Sequence, residues 1–504
     1  MVRTLALVSA CLTVLIAVAP PAQTQPGPSP AAAAAHTYTA AHRDDLIQAF
    51  TRFLSMPNVA ADPDGLRRNA AFLLDQLRQR GAQAQLLNDP AHPETPAVVY
   101  GEIRTPGAEH TIVFYAHYDG QPVTPSDWQI PPFSPEVRSI NGEARIFARS
   151  AGDDKAAIFA QLTALDALRA AHIPLRANIR FVWEGEEEAG SPHLEAILDA
   201  HRDLIHGDDI WLVCDGPVDQ SGAQTVVFGA RGDTHLSITV YGPHHGLHSG
   251  HYGNWAPNPA MELAQLLAGM KDSNGHILIP HFYDGIAPLS SMEKAALARA
   301  PYNDPMLMRS FWLGHTENAP RHLLELLNEP SLNINGLSSG ATGAHAANVI
   351  PPTATADIDL RLVVGNDWQR QQQNVIDYVR SQGYFIVDSE PSQQILTSHP
   401  RVAMIVRDPA SYNAVRTPMD LPMAQEVIAA VQSAATEEHR GEVVLLPTMG
   451  GSVPLGAMER ASGTHTITVP IANYDDNQHA ANENLRLANL WNGAATMAAL
   501  LTMQ

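Results

Sequence analysis

Several short stretches place acids and imidazoles at spacings that suit metal chemistry. Tyr115-Ala-His117-Tyr-Asp119-Gly120 closes an apolar run; in extended backbone residues two apart share a face, so His117 and Asp119 can point the same way. Arg149-Ser-Ala-Gly-Asp153-Asp154-Lys155 opens a helical pattern, where acids ordinarily serve as caps. Trp183-Glu184-Gly185-Glu186-Glu187-Glu188-Ala189-Gly190-Ser191 sets acids at a strand-to-helix turn, and Asp215 follows a further apolar run. Near the end, Tyr474-Asp-Asp-Asn-Gln-His479 brings a histidine beside more acids. If these segments meet, the carboxylates of Asp119, Asp153, Glu187, Glu188 and Asp215 converge with the imidazoles of His117 and His479. Such a cluster repels itself unless cations neutralise it. Nitrogen and oxygen ligands without thiolate suit zinc, with manganese or cobalt as substitutes.

The elements that must position these residues read as α/β. Thr111–Ala116, Ile179–Trp183 and Ile210–Cys214 are predicted strands, and Lys155–Ala171 and Pro192–Arg202 predicted helices. This alternation favours a mostly parallel sheet covered by helices, with its site at the carboxyl ends of the strands. Past Gly232 the pattern becomes β-α-β-β-α-β: His235–Tyr241, Pro259–Met270, Leu332–Leu337, Ala354–Val364, Trp368–Gln382 and Tyr384–Asp388. That order suggests an inserted ferredoxin-like α+β module. A segment over Lys271–Pro330 reads as irregular. The expected organisation is a signal peptide over residues 1–22, a linker over 23–38, a catalytic domain in two parts (39–231 and 396–504) and a lid/dimerisation domain over 232–395.

Composition limits the alternatives. The chain has 504 residues, with 52 Asp and Glu against 31 Lys and Arg, a formal charge of −21. A protein this acidic does not suit nucleic-acid phosphates, which need clustered Lys and Arg. Arg3, the apolar run Leu5–Ala19 and small residues near Ala22 describe an export signal, too short for a stable membrane span. The expected location is therefore periplasmic or secreted. After signal removal Cys214 alone remains of the 2 cysteines, which excludes an intrachain disulfide. A thiol hydrolase on Cys214 is disfavoured by its place in a buried strand without a nearby histidine.

The residues as a set resemble the zinc-dependent exopeptidase family of carnosine dipeptidases, glutamate carboxypeptidase, aminoacylase and succinyl-diaminopimelate desuccinylase, in peptidase clan MH. The resemblance runs in order through His117-Tyr-Asp119-Gly-Gln-Pro, Trp128 with Pro131-Pro-Phe133, Arg149–Lys155, Glu184–Ser191, Leu247-His248-Ser-Gly250, Gly450-Gly-Ser452-Val-Pro454 and His479–Glu483. It implies two zinc ions, one held by His117 and Asp215, the other by Glu188 and His479, with Asp153 bridging. It makes Asp119 the partner that polarises His117, and Glu187 the general base. It also implies that His248 stabilises the oxyanion from the lid of the other subunit, which makes a homodimer the expected assembly. Arg361, Asn348 and Ser452 correspond to substrate-binding positions, Arg361 on a terminal carboxylate.

Three departures surround the substrate rather than the metals: Gly246 in place of an acid, Asn254 in place of a glycine, and Thr448-Met449 in place of an Arg-Glu pair. The expected function is hydrolysis of dipeptides or similar N-acyl amino acids bearing a free carboxylate. The alternatives are an N-acyl amino acid deacylase of the same mechanism and a peptide-binding homologue without catalysis.

Overall fold

A computed structural model describes residues 27–437, 441–451 and 453–503. The expected signal peptide and Ser452 lie outside these residues. Among them, no helix is long and apolar enough to cross a membrane.

The larger unit is built on an eight-stranded mixed sheet. Its spatial order is 83–87, 98–103, 178–184, 111–117, 210–213, 466–468, 225–227 and 444–446. The central pairings, 178–184 on 111–117, 111–117 on 210–213, and 466–468 on 210–213, are parallel. Strands buried on both faces need continuous apolar sequence, which Thr-Ile-Val-Phe-Tyr-Ala-His supplies over 111–117. Four chain segments therefore reach the same edge of the sheet, where open α/β folds gather their functional groups.

The helix Lys155–Ala170 is buried along most of its length. It packs against the last helix, Leu487–Leu501, and against a first helix, Pro30–Ala41. The latter corrects the expected linker over 23–38. Its Ala-rich run reads as flexible by composition, but alanine is the best helix former, Ser29 caps the helix by accepting from the Ala32 N–H, and Ala32 and Ala35 are fully buried.

The inserted unit is a five-stranded sheet in the order 331–338, 353–362, 232–241, 402–407 and 385–387. The helices Pro259–Ala268 and Trp368–Ser381 cover it, and their apolar faces join its core. The ferredoxin-like order holds with one correction. The fourth strand is Val402–Arg407, antiparallel to 232–241, whereas 385–387 is an extra edge strand parallel to 402–407. The insert thus runs past residue 395, since Val402, Ala403 and Ile405 are buried and the last two join its core.

The segment over 271–330 is also more regular than expected, with helices Ser291–Arg299, Asp304–Ser310 and Leu323–Leu326. The first begins with a reciprocal capping box between Ser290 and Glu293. Its Ala296 is buried in the core of the larger unit and Glu293 pairs with Arg416 at 3.0 Å. The segment therefore leaves the insert and returns to the larger unit.

Candidate active site and metal centre

The expected residues meet at the carboxyl edge of the central strands. His117 ends its strand fully buried; the strand 178–184 leads into Glu187 and Glu188, and the strand 210–213 into Asp215. Glycine is required between Glu184 and Glu186, because a Cβ at Gly185 would stand 2.3 Å from the Tyr118 hydroxyl. His479 approaches from the carboxyl-terminal segment and remains half exposed at the mouth.

Asp153 lies between the two imidazoles. Its Oδ1 is 2.9 Å from His117 Nε2 and its Oδ2 is 3.0 Å from His479 Nε2. Glu188 Oε2 is 3.3 Å from His479 Nε2, and Glu187 Oε2 is 4.0 Å from His117 Nε2. Two groups of three donors result, His117 with Glu187 and Asp215, and Asp153 with Glu188 and His479. Within each group one ligand atom per residue lies within 4.8 Å of the others.

The electrostatics match a site built for cations. Burial followed by repulsion from Asp153 pushes Asp215 up to about 7, and burial raises Glu187 well above the usual carboxylate range. Hydrogen bonds to Asp153 and Glu188 push His479 up to about 10. Asp215 Oδ1 is buried without a hydrogen-bond partner, a costly state for a carboxylate oxygen. Carboxylates flank two imidazoles with bridging geometry, so the residues present fit a pair of divalent ions.

The outer contacts are only partly legible from sequence. Asp119 Oδ1 is 3.3 Å from His117 Nδ1, a contact consistent with the orienting role expected of it. The same carboxylate also accepts the backbone N–H groups of Glu187 and Glu188 at 3.1 and 2.9 Å, contacts that no local pattern announces. Gln121 donates to both oxygens of Glu188, and Gln478 to Asp153 Oδ2.

The residue that sequence reasoning most clearly misses is Glu483. It is fully buried and each of its oxygens accepts twice: Oε1 from the N–H groups of Gly152 and Asp153 at 2.9 and 3.0 Å, Oε2 from Arg149 at 2.7 Å and the Ser150 N–H at 2.9 Å. The pairing of 484–486 with 143–147 delivers it there. Its only sequence signal is its place in the His479–Glu483 motif.

A cavity of about 430 Å³ opens over Asp153, Glu187, Asp215 and His479. Part of its lining is apolar, formed by Leu323, Leu324 and Leu327 of the 271–330 segment with Met449 and Val453. Three expected substrate-side residues lie elsewhere in the chain. His248 and Asn348 are exposed on the lid, beside or within the pairing of 247–248 with 349–350, and neither lines the cavity. Arg361 faces Asp233 and Asp359 at 3.3 and 3.2 Å. Cys214 is buried, with its sulfur 3.7 Å from Met497 Sδ in the core.

Similarity to known proteins follows the same lines. The chain is 26% identical over 482 residues to the human Beta-Ala-His dipeptidase, covering 90% of this chain and 88% of that protein. It is 25% identical over 479 residues to the Cys-Gly metallodipeptidase of Saccharomyces cerevisiae, covering 90% and 93%. Among solved structures, the M20 family metallo-carboxypeptidase of Sulfolobus solfataricus superposes with a TM-score of 0.75 at 25% identity, covering 91% of this chain and 98% of that one. The profile of peptidase family M20/M25/M40 matches residues 113–503, a span that holds every donor of the two groups. A paired-donor centre at the sheet edge, an inserted lid and this match have one reading: the chain belongs to peptidase family M20/M25/M40.

Proposed function

We propose that this protein is a dizinc dipeptidase, hydrolysing the amide bond of short peptides that carry a free carboxylate. The observation that carries the reading is Asp153, one carboxylate in contact with both imidazoles beside Glu187. His117 and Asp215 would hold one ion, Glu188 and His479 the other, and Asp153 both. When bound, the ions polarise the amide carbonyl and acidify the attacking water.

The chain's own residues do the rest. Asp119 fixes the His117 ring and, through two backbone N–H groups, the turn that carries Glu187. Glu187 takes the proton of the attacking water and returns it to the leaving nitrogen as the C–N bond breaks. The leucines that share this cavity favour a substrate with an aliphatic side chain, and equally accommodate an acyl chain. That observation keeps an N-acyl amino acid deacylase of the same mechanism as the second reading.

His248 and Asn348 sit at the exposed pairing of 247–248 with 349–350 in the insert, so a part in catalysis would be played in a second copy of the chain. A homodimer through the lid would permit this use of them, and Ser452 and Arg361 would then complete the carboxylate side. An exported location rests on the sequence pattern at the amino terminus alone.

The decisive variant is Glu187→Gln. It is expected to retain its metal, measured by mass spectrometry, and to lose about 100- to 10,000-fold in dipeptide turnover. A wild-type rate would end the proposal.

A further inference from the structure

A second cluster of donors lies outside the active-site cavity, and we propose that Asp89, His92 and His193 form a peripheral divalent-cation site of the zinc class. One ligand atom from each residue lies within 4.8 Å of the others. The donors come from two segments: Asp89 and His92 from the loop between the strands Gln83–Leu87 and Val98–Ile103, and His193 from the residue before the helix Leu194–Ala200. Two imidazoles and one carboxylate, with a further position open, form a familiar ligand set for zinc and its first-row neighbours.

Three details separate this cluster from an ordinary surface group. Asp89 is 3% exposed, and its Oδ1 accepts the Ala91 N–H at 2.8 Å, which fixes the carboxylate and leaves Oδ2 for a ligand. Glu186 Oε2 lies 2.7 Å from His193 Nδ1, and Glu94 lies 3.7 Å from His92 Nδ1. The Glu186 carboxylate on His193 Nδ1 fixes the tautomer that presents Nε2 as a lone pair, the usual support behind a metal-binding histidine. Among the described residues no Lys or Arg forms an ion pair with Asp89, Glu94 or Glu186.

The last point distinguishes it from the comparable group of Asp233, His235 and Asp359. There Arg361 already supplies the positive charge, at 3.3 Å from Asp233 and 3.2 Å from Asp359, and a cation would be repelled.

The position gives the site a purpose. Glu186 immediately precedes Glu187 and Glu188, and its backbone carbonyl accepts the N–H groups of Ala189 and Ser191 within the same turn. An ion on His193 would tie that turn, through Glu186, to the 88–97 loop. The site is thus a brace behind the glutamates of the active centre, independent of how many ions that centre itself holds.

The test strips the mature protein with chelator, adds back Zn²⁺ and counts bound ions by native mass spectrometry. Wild type is expected to hold about one ion more per chain than His92→Asn or His193→Asn, and to show a larger Zn²⁺-dependent rise in melting temperature. Asp215→Asn controls for the active centre and is expected to keep the peripheral ion. His92 is exposed, so its variant tests the site without disturbing the core. Equal counts in wild type and both histidine variants would overturn the proposal, whatever the active centre binds.

Discussion

Replacing Glu483 by glutamine changes one oxygen for an NH2 group and nothing else in shape, so its consequence can be worked from the hydrogen bonds. Each carboxylate oxygen accepts from two donors. Whichever way the amide turns, one pair of donors meets another donor. If NH2 faces Gly152 and Asp153, the backbone carrying the proposed bridging ligand loses its support. If it faces Arg149 and Ser150, the NH2 group meets their donors, and in either orientation the buried guanidinium loses its counter-ion. Bonds to a charged group contribute about 1.5–3 kcal/mol each, so losing two costs roughly 3–6 kcal/mol. Burial pushes the Glu483 carboxyl up to about 7, so the full effect is expected at pH 8, where the group is ionised. At about 2 °C per kcal/mol for a domain this large, the melting temperature should fall by roughly 6–12 °C. Affinity for the active-site ions should weaken by about 10- to 100-fold, as for other outer-shell partners of metal ligands. Differential scanning calorimetry and metal titration read the two effects separately. A variant that melts and binds metal like wild type would refute the view that Glu483 holds the Asp153 loop.

Other perturbations reach neighbouring parts of the site and the core. In the metal-free protein Asp215 and Asp476 are pushed up to about 7 and Glu184 to about 8, chiefly by burial. These folded-state values exceed the unfolded ones, so the native state keeps protons that the unfolded chain loses above about pH 4. Stability of the stripped protein should therefore decline from pH 5 to pH 8, and added zinc should restore it at pH 8; melting curves that stay level or rise would contradict this. Leu327→Ala should lower kcat/KM about tenfold for a leucine-containing dipeptide relative to its glycine counterpart, and an unchanged ratio would remove these leucines from contact with the substrate. Ala35→Asp places an unpaired charge in the contact of the first helix with the core, and should cost several kcal/mol by chemical denaturation; a neutral result would return residues 30–38 to the status of a linker.

What can be read from sequence is whatever depends on short-range pattern. The apolar runs ending at His117, Glu184 and Cys214 announce buried strands, and acids directly after them announce a site at the strand ends. Less visible are relations set by partners far away in the chain. Val402–Arg407 and Phe385–Val387 have similar apolar character, and only pairing with the strand 232–241 identifies the former as the fourth strand of the insert. Pro30–Ala41 carries no apolar stripe set against a polar face, because alanines surround it on every side, so periodicity cannot mark which side is buried. Glu483 resembles any acid after a polar turn until its partners, more than 300 residues earlier, are in view.

That last separation bears on how the protein is made. A ribosome delivers His117, Asp153, Glu187, Glu188 and Asp215 early, and the crowded acids then wait for His479 and Glu483 near the end of synthesis. Until the 484–486 strand pairs with 143–147, the backbone at Asp153 lacks its buried clasp. Stable retention of the proposed metal ions would thereby be a property of the finished chain, and a product ending before residue 479 would lack part of the set.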